Sequence, residues 1–265
     1  MNSQVDAAHL VGRVALVTGV SRRQGIGWAV ARRLLAGGAT VVATGWRPHD
    51  AEMAWGADPD PLAADGSGGG AEVGQHDLED PAVPGALVDE VVDRHGALDV
   101  VVAAHARSST QSLAEVTAAE LDRCWAANVR SVVLLAQRFA ERHEPSRPGG
   151  RMLWFTSGQH IAPMGGEIAY AATKGALHQI TRSLADVLID RGIAVTCINP
   201  GPVDTGWAPP GVHEAVAGGF PSGRWTTPAE VADVVDLLLR DEAAALAGQV
   251  IDAEHGFRRW PSGGE

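Results

Sequence analysis

Residues 13–27 read RVALVTGVSRRQGIG, a short apolar run that ends at Gly19 and continues into a glycine-rich turn. From Gly25 onward the apolar positions have helical spacing, at Ile26, Ala29, Val30 and Leu34. The stretch predicts a β-strand, a tight turn and an α-helix whose N terminus can bind a phosphate. The turn is weak evidence by itself, because a glycine-rich connection without chemical meaning can have the same composition.

The same alternation of strand and helix continues along the chain. Apolar runs predict further strands at 39–44, 71–77, 98–104, 151–157, 193–199 and 248–252. Helical patterns lie at 25–37, 81–95, 115–142, 167–190 and 228–240. Apolar strands that alternate with helices predict a doubly wound α/β fold, a parallel sheet with helices on both faces. The length of 265 residues suits one such Rossmann-fold domain, spanning 1–265.

Two segments interrupt this alternation. Residues 48–70 are rich in Gly, Pro and Asp, so we expect a mostly irregular and mobile insertion there. Residues 203–226 follow a strand end and contain three bulky aromatic residues, Trp207, Phe220 and Trp225. Long connections at the carboxyl edge of a parallel sheet often cover a ligand. We therefore expect a substrate lid at 203–226 and an apolar or ring-bearing ligand beneath it.

Composition argues against several classes of protein. The formal net charge of −11 disfavours a surface that binds nucleic acid or an anionic membrane. No apolar run has the ~18 residues of a membrane span, and residues 1–10 lack the features of a signal peptide, so we expect a cytoplasmic protein. Cys124 and Cys197 are too few for a disulfide framework. The histidines show no ligand spacing, so we expect no metal.

The end of the second predicted strand indicates the type of cofactor. NAD-binding sites place an acidic residue there for the ribose 2′-hydroxyl, but this chain has Gly45-Trp46-Arg47. With Arg22 and Arg23 in the glycine turn, the site has the charge to bind the 2′-phosphate of NADP(H). The alternative is that these arginines form an ordinary solvated surface.

A second group of residues indicates acid–base chemistry. Tyr170 and Lys174 lie one turn apart on a predicted helix, so their side chains can act together. A nearby ammonium favours the phenolate, so we expect Lys174 to lower the pKa of Tyr170 from about 10. Ser157 ends a strand and is placed to hydrogen-bond a substrate oxygen, and Asn128 is placed to hold a water that connects Lys174 to solvent. Each residue alone has an ordinary structural explanation, but their combination favours catalysis.

The rarity of this pair supports the same interpretation. Tyr170 is the only tyrosine of the chain, and Lys174 is the only lysine among 21 basic residues. A GC-rich coding bias would turn any replaceable lysine into arginine. The retained pair indicates chemistry that cannot be substituted.

Together these motifs resemble the short-chain dehydrogenase/reductase family over nearly the whole chain, in its 3-oxoacyl-acyl-carrier-protein-reductase-like branch. The resemblance rests on the glycine turn, Asp77, Asn128, Ser157, Tyr170, Lys174 and the run NPGPVDT at 199–205. It implies an NADP(H)-dependent oxidoreductase that interconverts a carbonyl and a secondary alcohol by hydride transfer, with Tyr170 as the acid/base. It also implies a homotetramer or homodimer, with contacts through the helices at 115–142 and 167–190 and the region 248–260.

The resemblance assigns roles to individual residues. Lys174 would bind the nicotinamide ribose and tune Tyr170, Ser157 would orient the carbonyl, Asn128 would complete a proton relay, and Asp77 would contact the adenine. The implied cofactor contacts are Gly19, Ser21, Arg22, Arg23, Gly25, Ile26, Trp46, Arg47, Asp77, Leu78, Ala103, Ala104, Tyr170, Lys174, Pro200, Gly201, Val203 and Thr205. The implied substrate contacts, with rim surface as the alternative, are His105, Gln159, His160, Glu167 and Trp207.

Two features depart from the family pattern. The glycine turn has five residues between Gly19 and Gly25, where the family usually has three, and this length is typical of its enoyl-reductase branch. That branch spaces its Tyr and Lys further apart, and seven positions after Tyr170 the chain has a leucine, so the catalytic spacing argues against it. Residues 103–106 read AAHA instead of Asn-Asn-Ala-Gly, which removes a strand-bracing hydrogen bond. His105 is then either a packing residue or a pocket residue.

A competing interpretation is a cofactor-binding regulator or scaffold that keeps the fold without turnover. The intact Tyr-Lys pair argues against it, because a binding-only protein of this composition could have lost both residues. We therefore expect a small-molecule carbonyl or alcohol substrate, with cyclic ketones, sugars and acyl thioesters all compatible with the sequence.

Overall fold

The computed structural model describes residues 9–59, 72–144, 146–147 and 149–259. Its seven parallel strands form one sheet in the order β3-β2-β1-β4-β5-β6-β7. The strands are β1 (Val14–Thr18), β2 (Thr40–Gly45), β3 (Glu72–Gln75), β4 (Val100–Ala103), β5 (Gly150–Phe155), β6 (Ile193–Asn199) and β7 (Val250–Asp252). The helices are α1 (Ile26–Ala36), α2 (Arg47–Glu52), α3 (Val83–His95), α4 (Ala118–Trp125), α5 (Ser131–Arg142), α6 (Ile168–Ile189), α7 (Pro210–Ala217) and α8 (Pro228–Leu238). The predicted doubly wound α/β fold is confirmed.

Burial on both faces explains the uninterrupted apolar strands. In β1, Ala15 and Val17 belong to the core shared with α1 and α8, whereas Leu16 belongs to the core shared with α3, α5 and α6. Successive side chains of a strand point to opposite faces, so a strand that is covered on both sides needs apolar residues throughout. Every residue of β1, β5 and β6 is buried accordingly.

The order of the strands creates a crevice at the carboxyl edge of the sheet. From β1 the chain continues outward to β2 and β3, whereas from β4 it continues to β5, β6 and β7 on the other side. The loops that follow β1 and β4 therefore diverge. Ligands bind at such a point in open parallel sheets.

The helix predicted at 115–142 is interrupted in its middle. A π-helical turn, Ala126–Arg130, joins α4 to α5. The core buries Val129 of this turn and Val132, Leu135 and Phe139 of α5, whereas Val133 is 37% exposed. Leu121 and Trp125 of α4 are 40% and 50% exposed. The most exposed large apolar residues of this helical region are therefore on α4.

The insertion expected at 48–70 is more regular than predicted where the structure describes it. Arg47–Glu52 forms α2, whose first turn contains a proline that the helix start tolerates. The Trp55 Nε1 atom donates to Asp50 Oδ1 at 3.1 Å, which holds the following turn against this helix. Residues 60–70 lie outside the described residues, so the expected mobility stays a prediction.

The segment 203–226 is packed by two of its three aromatic residues. Phe220 and Trp225 are 4% and 3% exposed, and neither lines the cavity described below, contrary to the expectation that they contact a ligand. The Trp225 indole donates to His213 O at 2.8 Å, which holds α7 in place. The buried rings thus support the segment, and its action as a substrate lid stays a prediction.

None of the helices in the described ranges combines the length and the apolar character needed to cross a membrane. Within those ranges, no three His, Cys, Asp or Glu side chains are grouped as metal ligands. Cys124 and Cys197 are buried free thiols, and burial raises their pKa values to about 12 and about 11.

Candidate active site

A cavity of about 680 Å³ opens at the carboxyl edge of the sheet, within the size range of small-molecule sites. Residues from the loops after all six strands β1 to β6 line it. Most of the predicted cofactor residues are among them: Gly19, Ser21, Arg22, Gly25, Ile26, Trp46, Asp77, Leu78, Ala104, Tyr170, Pro200, Gly201, Val203 and Thr205. Arg23, Arg47, Ala103 and Lys174 are not lining residues.

The glycine-rich turn forms the part of the cavity wall that fits a phosphate. Gly19 has a φ of +77°, and a Cβ there would lie 2.5 Å from the backbone nitrogen of His105. At Gly27 and Gly45 a Cβ would lie 2.4 Å from a neighbouring backbone oxygen, so these close approaches require glycine. Gly25 precedes α1 without a side-chain cap, so the first N–H groups of the helix are left for a ligand. A dinucleotide phosphate fits this arrangement.

Arg22 is held mainly by contacts within the protein. Its Nη1 donates to Thr205 O at 2.9 Å, and its Nε lies 3.3 Å from Asp50 Oδ1. Its guanidinium also lies over the Trp55 ring, 5.3 Å from the ring centre. Burial lowers the pKa of Arg22, and the Asp50 carboxylate acts in the opposite direction. Arg22 therefore joins the glycine turn to α2 and to the segment 203–226.

An acidic residue lies beside the other two arginines, although the sequence placed none at the end of β2. Asp58 Oδ2 accepts a hydrogen bond from the Arg23 backbone N–H at 2.7 Å and lies 3.9 Å from Arg23 Nη1. Arg47 Nη2 donates to Asp58 O at 2.5 Å. The sequence pattern did not predict Asp58 because this residue reaches the site from the segment after α2 rather than from the strand end.

Helix α6 and the end of strand β5 bring together three of the four predicted catalytic side chains, those of Ser157, Tyr170 and Lys174. Tyr170 and Ser157 both line the cavity. Lys174 is 3% exposed and lies behind Tyr170, with its Nζ 5.4 Å from the centre of the phenol ring. The Lys174 Nζ donates to Phe155 O at 2.9 Å, at the end of β5. The four-residue spacing on the helix thus places both side chains on one face, as predicted.

The pKa of Tyr170 is shifted opposite to the expectation. Burial of the phenol and then the charge of Glu167 raise this pKa to about 12, and hydrogen bonding with Ser157 opposes them only in part. The expected lowering by Lys174 is not found. Burial instead lowers the pKa of Lys174 itself to about 8. Tyr170 is therefore a neutral phenol, able to donate a proton, throughout the neutral pH range.

Asn128 is buried in the π-helical turn, and its side-chain amide is hydrogen-bonded within the protein. Its Oδ1 accepts from the Arg107 N–H at 2.6 Å, and its Nδ2 donates to Arg107 O at 3.0 Å and to Thr173 Oγ1 at 2.9 Å. Both amide hydrogens are thereby engaged. Asn128 joins the loop after β4 to α6, next to Lys174. Its part in a proton relay stays a prediction.

His105 combines the two alternatives that the sequence left open. It lines the cavity, and its ring also connects β1 with the π-helical turn and α5. Its Nδ1 lies 2.6 Å from Thr18 Oγ1, and its Nε2 lies 2.9 Å from Ala127 O and 2.8 Å from Ser131 Oγ. Burial and the charge of Lys174 lower the pKa of His105 to about 4, so the ring is neutral. The expected loss of a strand-bracing hydrogen bond is therefore offset by this histidine.

The five predicted substrate residues fall into two groups. Those that line the cavity are His105, Glu167 and Trp207. Gln159 and His160 do not line it, and they have partners elsewhere. Gln159 Nε2 donates to Thr156 Oγ1 at 3.1 Å, which stabilises the turn after β5, and His160 Nε2 lies 3.1 Å from Asp252 Oδ1.

Several other lining residues were not predicted from the sequence. Met164 comes from the loop before α6, and Phe257 and Arg259 come from the segment after β7, which was expected to contact another subunit. The Arg259 guanidinium lies over the Phe257 ring at 5.2 Å and forms an ion pair with Glu254. An aromatic residue soon after the last strand was the available signal for this part of the wall.

Comparison with known proteins supports the family indicated by the motifs. The family described as enoyl-(acyl carrier protein) reductase matches residues 19–258. The uncharacterized oxidoreductase YjdA of Bacillus subtilis is 34% identical over 253 residues, which cover 95% of this chain and 99% of YjdA. The 3-oxoacyl-[acyl-carrier-protein] reductase FabG of Escherichia coli is 31% identical over 251 residues, which cover 93% of this chain and 97% of FabG.

A solved structure matches the fold at a similar level of identity. The short chain dehydrogenase from Burkholderia cenocepacia J2315, in complex with NADP, has a TM-score of 0.80 and 31% identity, and the match covers 94% of this chain and 98% of that one. The family match, over residues 19–258, extends over the elements that form the cavity, from the glycine turn to the segment after β7. This chain belongs to the short-chain dehydrogenase/reductase family of oxidoreductases, in its FabG-like branch.

Proposed function

We propose that this chain is an NADP(H)-dependent oxidoreductase that reduces a carbonyl compound to a secondary alcohol, or catalyses the reverse reaction. The observation that carries the proposal is Tyr170, a neutral phenol on the cavity wall with Lys174 behind it and Ser157 on the same wall. A protonated phenol is the form that gives a proton to a carbonyl oxygen.

The chemistry divides between the cofactor and the chain. A bound nicotinamide supplies the hydride. In the proposed reduction, Tyr170 donates its hydroxyl proton to the substrate oxygen, and the Ser157 hydroxyl hydrogen-bonds that oxygen and orients it. The carbonyl carbon gains the hydride and the oxygen gains the proton, so the product is the alcohol. The pKa of Lys174, lowered by burial to about 8, brings its proton into exchange near neutral pH, which suits the return of a proton to Tyr170.

Three features support a nicotinamide dinucleotide, and the second and third support one with a 2′-phosphate. The uncapped start of α1 fits a pyrophosphate, and Asp77 and Leu78 line the cavity where the resemblance implies the adenine. Arg23 and Arg47 supply positive charge beside the end of β2. The related Burkholderia enzyme was solved in complex with NADP. We therefore propose NADP(H) as the cofactor of this chain as well.

Part of the cavity wall favours an apolar or ring-bearing carbonyl substrate. Apolar side chains from three separate segments line it, including Met164, Trp207 and Phe257. Cyclic ketones fit such a wall. The similarity to FabG, named as a reductase of 3-oxoacyl-acyl-carrier protein, adds 3-oxoacyl thioesters to the candidates.

A substrate screen tests the proposal. The protein is incubated with NADPH and a panel of cyclic ketones, aromatic ketones and 3-oxoacyl thioesters, and the loss of NADPH absorbance is followed together with the alcohol product by mass spectrometry. Turnover of any panel member supports the proposal. Cofactor binding without turnover of any compound would favour a regulator or scaffold instead, and failure to bind either nicotinamide dinucleotide would contradict the proposal.

A further inference from the structure

Asp58 lies inside the group of arginines that the sequence assigns to the cofactor phosphate. Its Oδ2 accepts from the Arg23 backbone N–H at 2.7 Å, and the Arg23 guanidinium approaches the same oxygen at 3.9 Å. The Asp58 side chain is 22% exposed, whereas that of Arg23 is 52% exposed. The carboxylate is therefore the more deeply placed partner, and it covers the backbone donor of the glycine turn.

Arg47 approaches the same place from the end of β2. Its Nη2 donates to Asp58 O at 2.5 Å and to Pro59 O at 3.4 Å, and its backbone N–H donates to Gln75 Oε1 at 3.1 Å. The Arg47 Nε atom is buried and has no hydrogen-bond partner among the residues that the structure describes. Buried donors in proteins are usually paired, so this N–H is a donor that the described residues leave unused.

Arg22, the third arginine, is not free to bind the cofactor phosphate. Arg22 already contacts Asp50 and Thr205 O, and it is 13% exposed. The donors left for an external anion are therefore those of Arg23 and Arg47. The Asp58 carboxylate accepts from the Arg23 backbone N–H and lies near its guanidinium, whereas the contact of Asp58 with Arg47 is through its backbone carbonyl. A phosphate and a carboxylate both accept charge-assisted hydrogen bonds from arginine and backbone N–H groups. Two anions at one set of donors repel each other.

We propose that Asp58 is a specificity-determining residue whose carboxylate occupies the place of the cofactor 2′-phosphate and competes with it. NADP(H) must then displace Asp58, whereas NAD(H), which carries a hydroxyl at that position, does not. The segment after α2 thus sets the balance between the two cofactors. This inference rests on the proposed function, because it requires that the cavity binds a nicotinamide dinucleotide.

Cofactor titrations with matched variants test the proposal. Calorimetric dissociation constants are measured for NADPH, NADH, adenosine 2′,5′-bisphosphate and 5′-AMP, with wild type, Asp58→Asn and Asp93→Asn. Asp93 is 70% exposed on α3 and pairs with Arg142, so its variant changes the net charge equally without touching the cavity. Asp58→Asn should bind NADPH and adenosine 2′,5′-bisphosphate about tenfold more tightly. Its affinities for NADH and 5′-AMP, and all those of Asp93→Asn, should change less than about twofold.

Each outcome bears on a distinct claim. Equal changes for NADPH and NADH in Asp58→Asn, no change for either, or weaker NADPH binding would overturn the competition by Asp58. Turnover of a ketone with NADPH would leave the proposed function standing in those cases. If wild type binds neither dinucleotide, both proposals fall. Circular dichroism checks the fold of Asp58→Asn, and Asp58→Ser, which also removes the charge, repeats the titration with a smaller side chain.

Discussion

The Nδ1 atom of His105 lies 2.6 Å from the hydroxyl of Thr18, so a single histidine joins the loop after β4 to the last residue of β1. The opposite ring nitrogen contacts Ala127 O and Ser131 Oγ in the π-helical turn and at the start of α5. Because the pKa of His105 is lowered to about 4, the ring stays neutral and keeps one donor and one acceptor nitrogen. The crevice of the sheet is therefore braced by a side chain that also faces the cavity.

We predict that the bond between His105 and Thr18 contributes to stability. Thr18 is fully buried, so His105→Ala leaves its hydroxyl without this partner and should lower the free energy of unfolding by about 1–3 kcal/mol. Urea denaturation of wild type, His105→Ala, Thr18→Val and the double variant gives the four unfolding free energies of a double-mutant cycle. The two substitutions should be less costly together than the sum of the single effects. Strict additivity would show that the bond contributes nothing.

The same histidine predicts a pH dependence of stability. Its pKa is about 4 in the folded protein and about 6.5 in an unfolded chain, so the unfolded state takes up the proton first as the pH falls. The stability that this difference contributes is present above pH ~6.5 and is lost between pH ~6.5 and ~4. The unfolding free energy of wild type relative to His105→Asn should therefore be smaller at pH 5 than at pH 7.5. An unchanged difference would contradict a neutral His105 ring in the folded protein.

The charge of Glu167 should have a measurable effect on the pKa of Tyr170. Glu167 lines the cavity and raises the pKa of Tyr170, so Glu167→Gln should lower that pKa from about 12. Tyr170 is the only tyrosine of the chain, so the absorbance of tyrosinate reports this residue alone. Spectrophotometric titration of both proteins gives the two midpoints. A midpoint that stays in place, or moves to higher pH, would show that the carboxylate does not act on the phenol.

The exposed apolar residues of α4 lead to a prediction about assembly. Leu121 and Trp125 lie on the helix that is expected to contact a symmetry mate, and such surplus apolar surface often marks an interface. Light scattering at micromolar concentration should give about four times the chain mass of 27.6 kDa, with a homodimer as the smaller expected assembly. Trp125→Glu should reduce that mass. A mass of one chain for wild type would contradict both assemblies.

The parts of the site that the sequence predicted depend on local spacing. The strand, turn and helix at 13–37 follow from a change of apolar period, and the four-residue spacing of Tyr170 and Lys174 places them on one face of a helix. Ser157 follows from its position at a strand end. Each of these features is a property of neighbouring residues, so no knowledge of packing was needed.

The parts that the sequence missed depend on contacts between distant segments or on burial. Asp58 reaches Arg23 across a segment without a regular pattern, and Arg259 reaches the cavity from the end of the chain. Phe220 and Trp225 are bulky aromatic residues of the kind that contact ligands, but packing buries them. The direction of the Tyr170 pKa shift depends on desolvation, which follows from the folded environment rather than from the proximity of a lysine in sequence.

The central claim is that Tyr170 gives the proton in carbonyl reduction, and Tyr170→Phe tests it most directly. This change keeps the ring and removes the hydroxyl. With a ketone found in the screen, kcat for NADPH oxidation should fall by about 10²-fold or more, the size of a lost general acid. The dissociation constant of NADPH should stay within about threefold of wild type, because the hydroxyl is assigned to the substrate oxygen. A variant with near wild-type kcat would contradict the assignment.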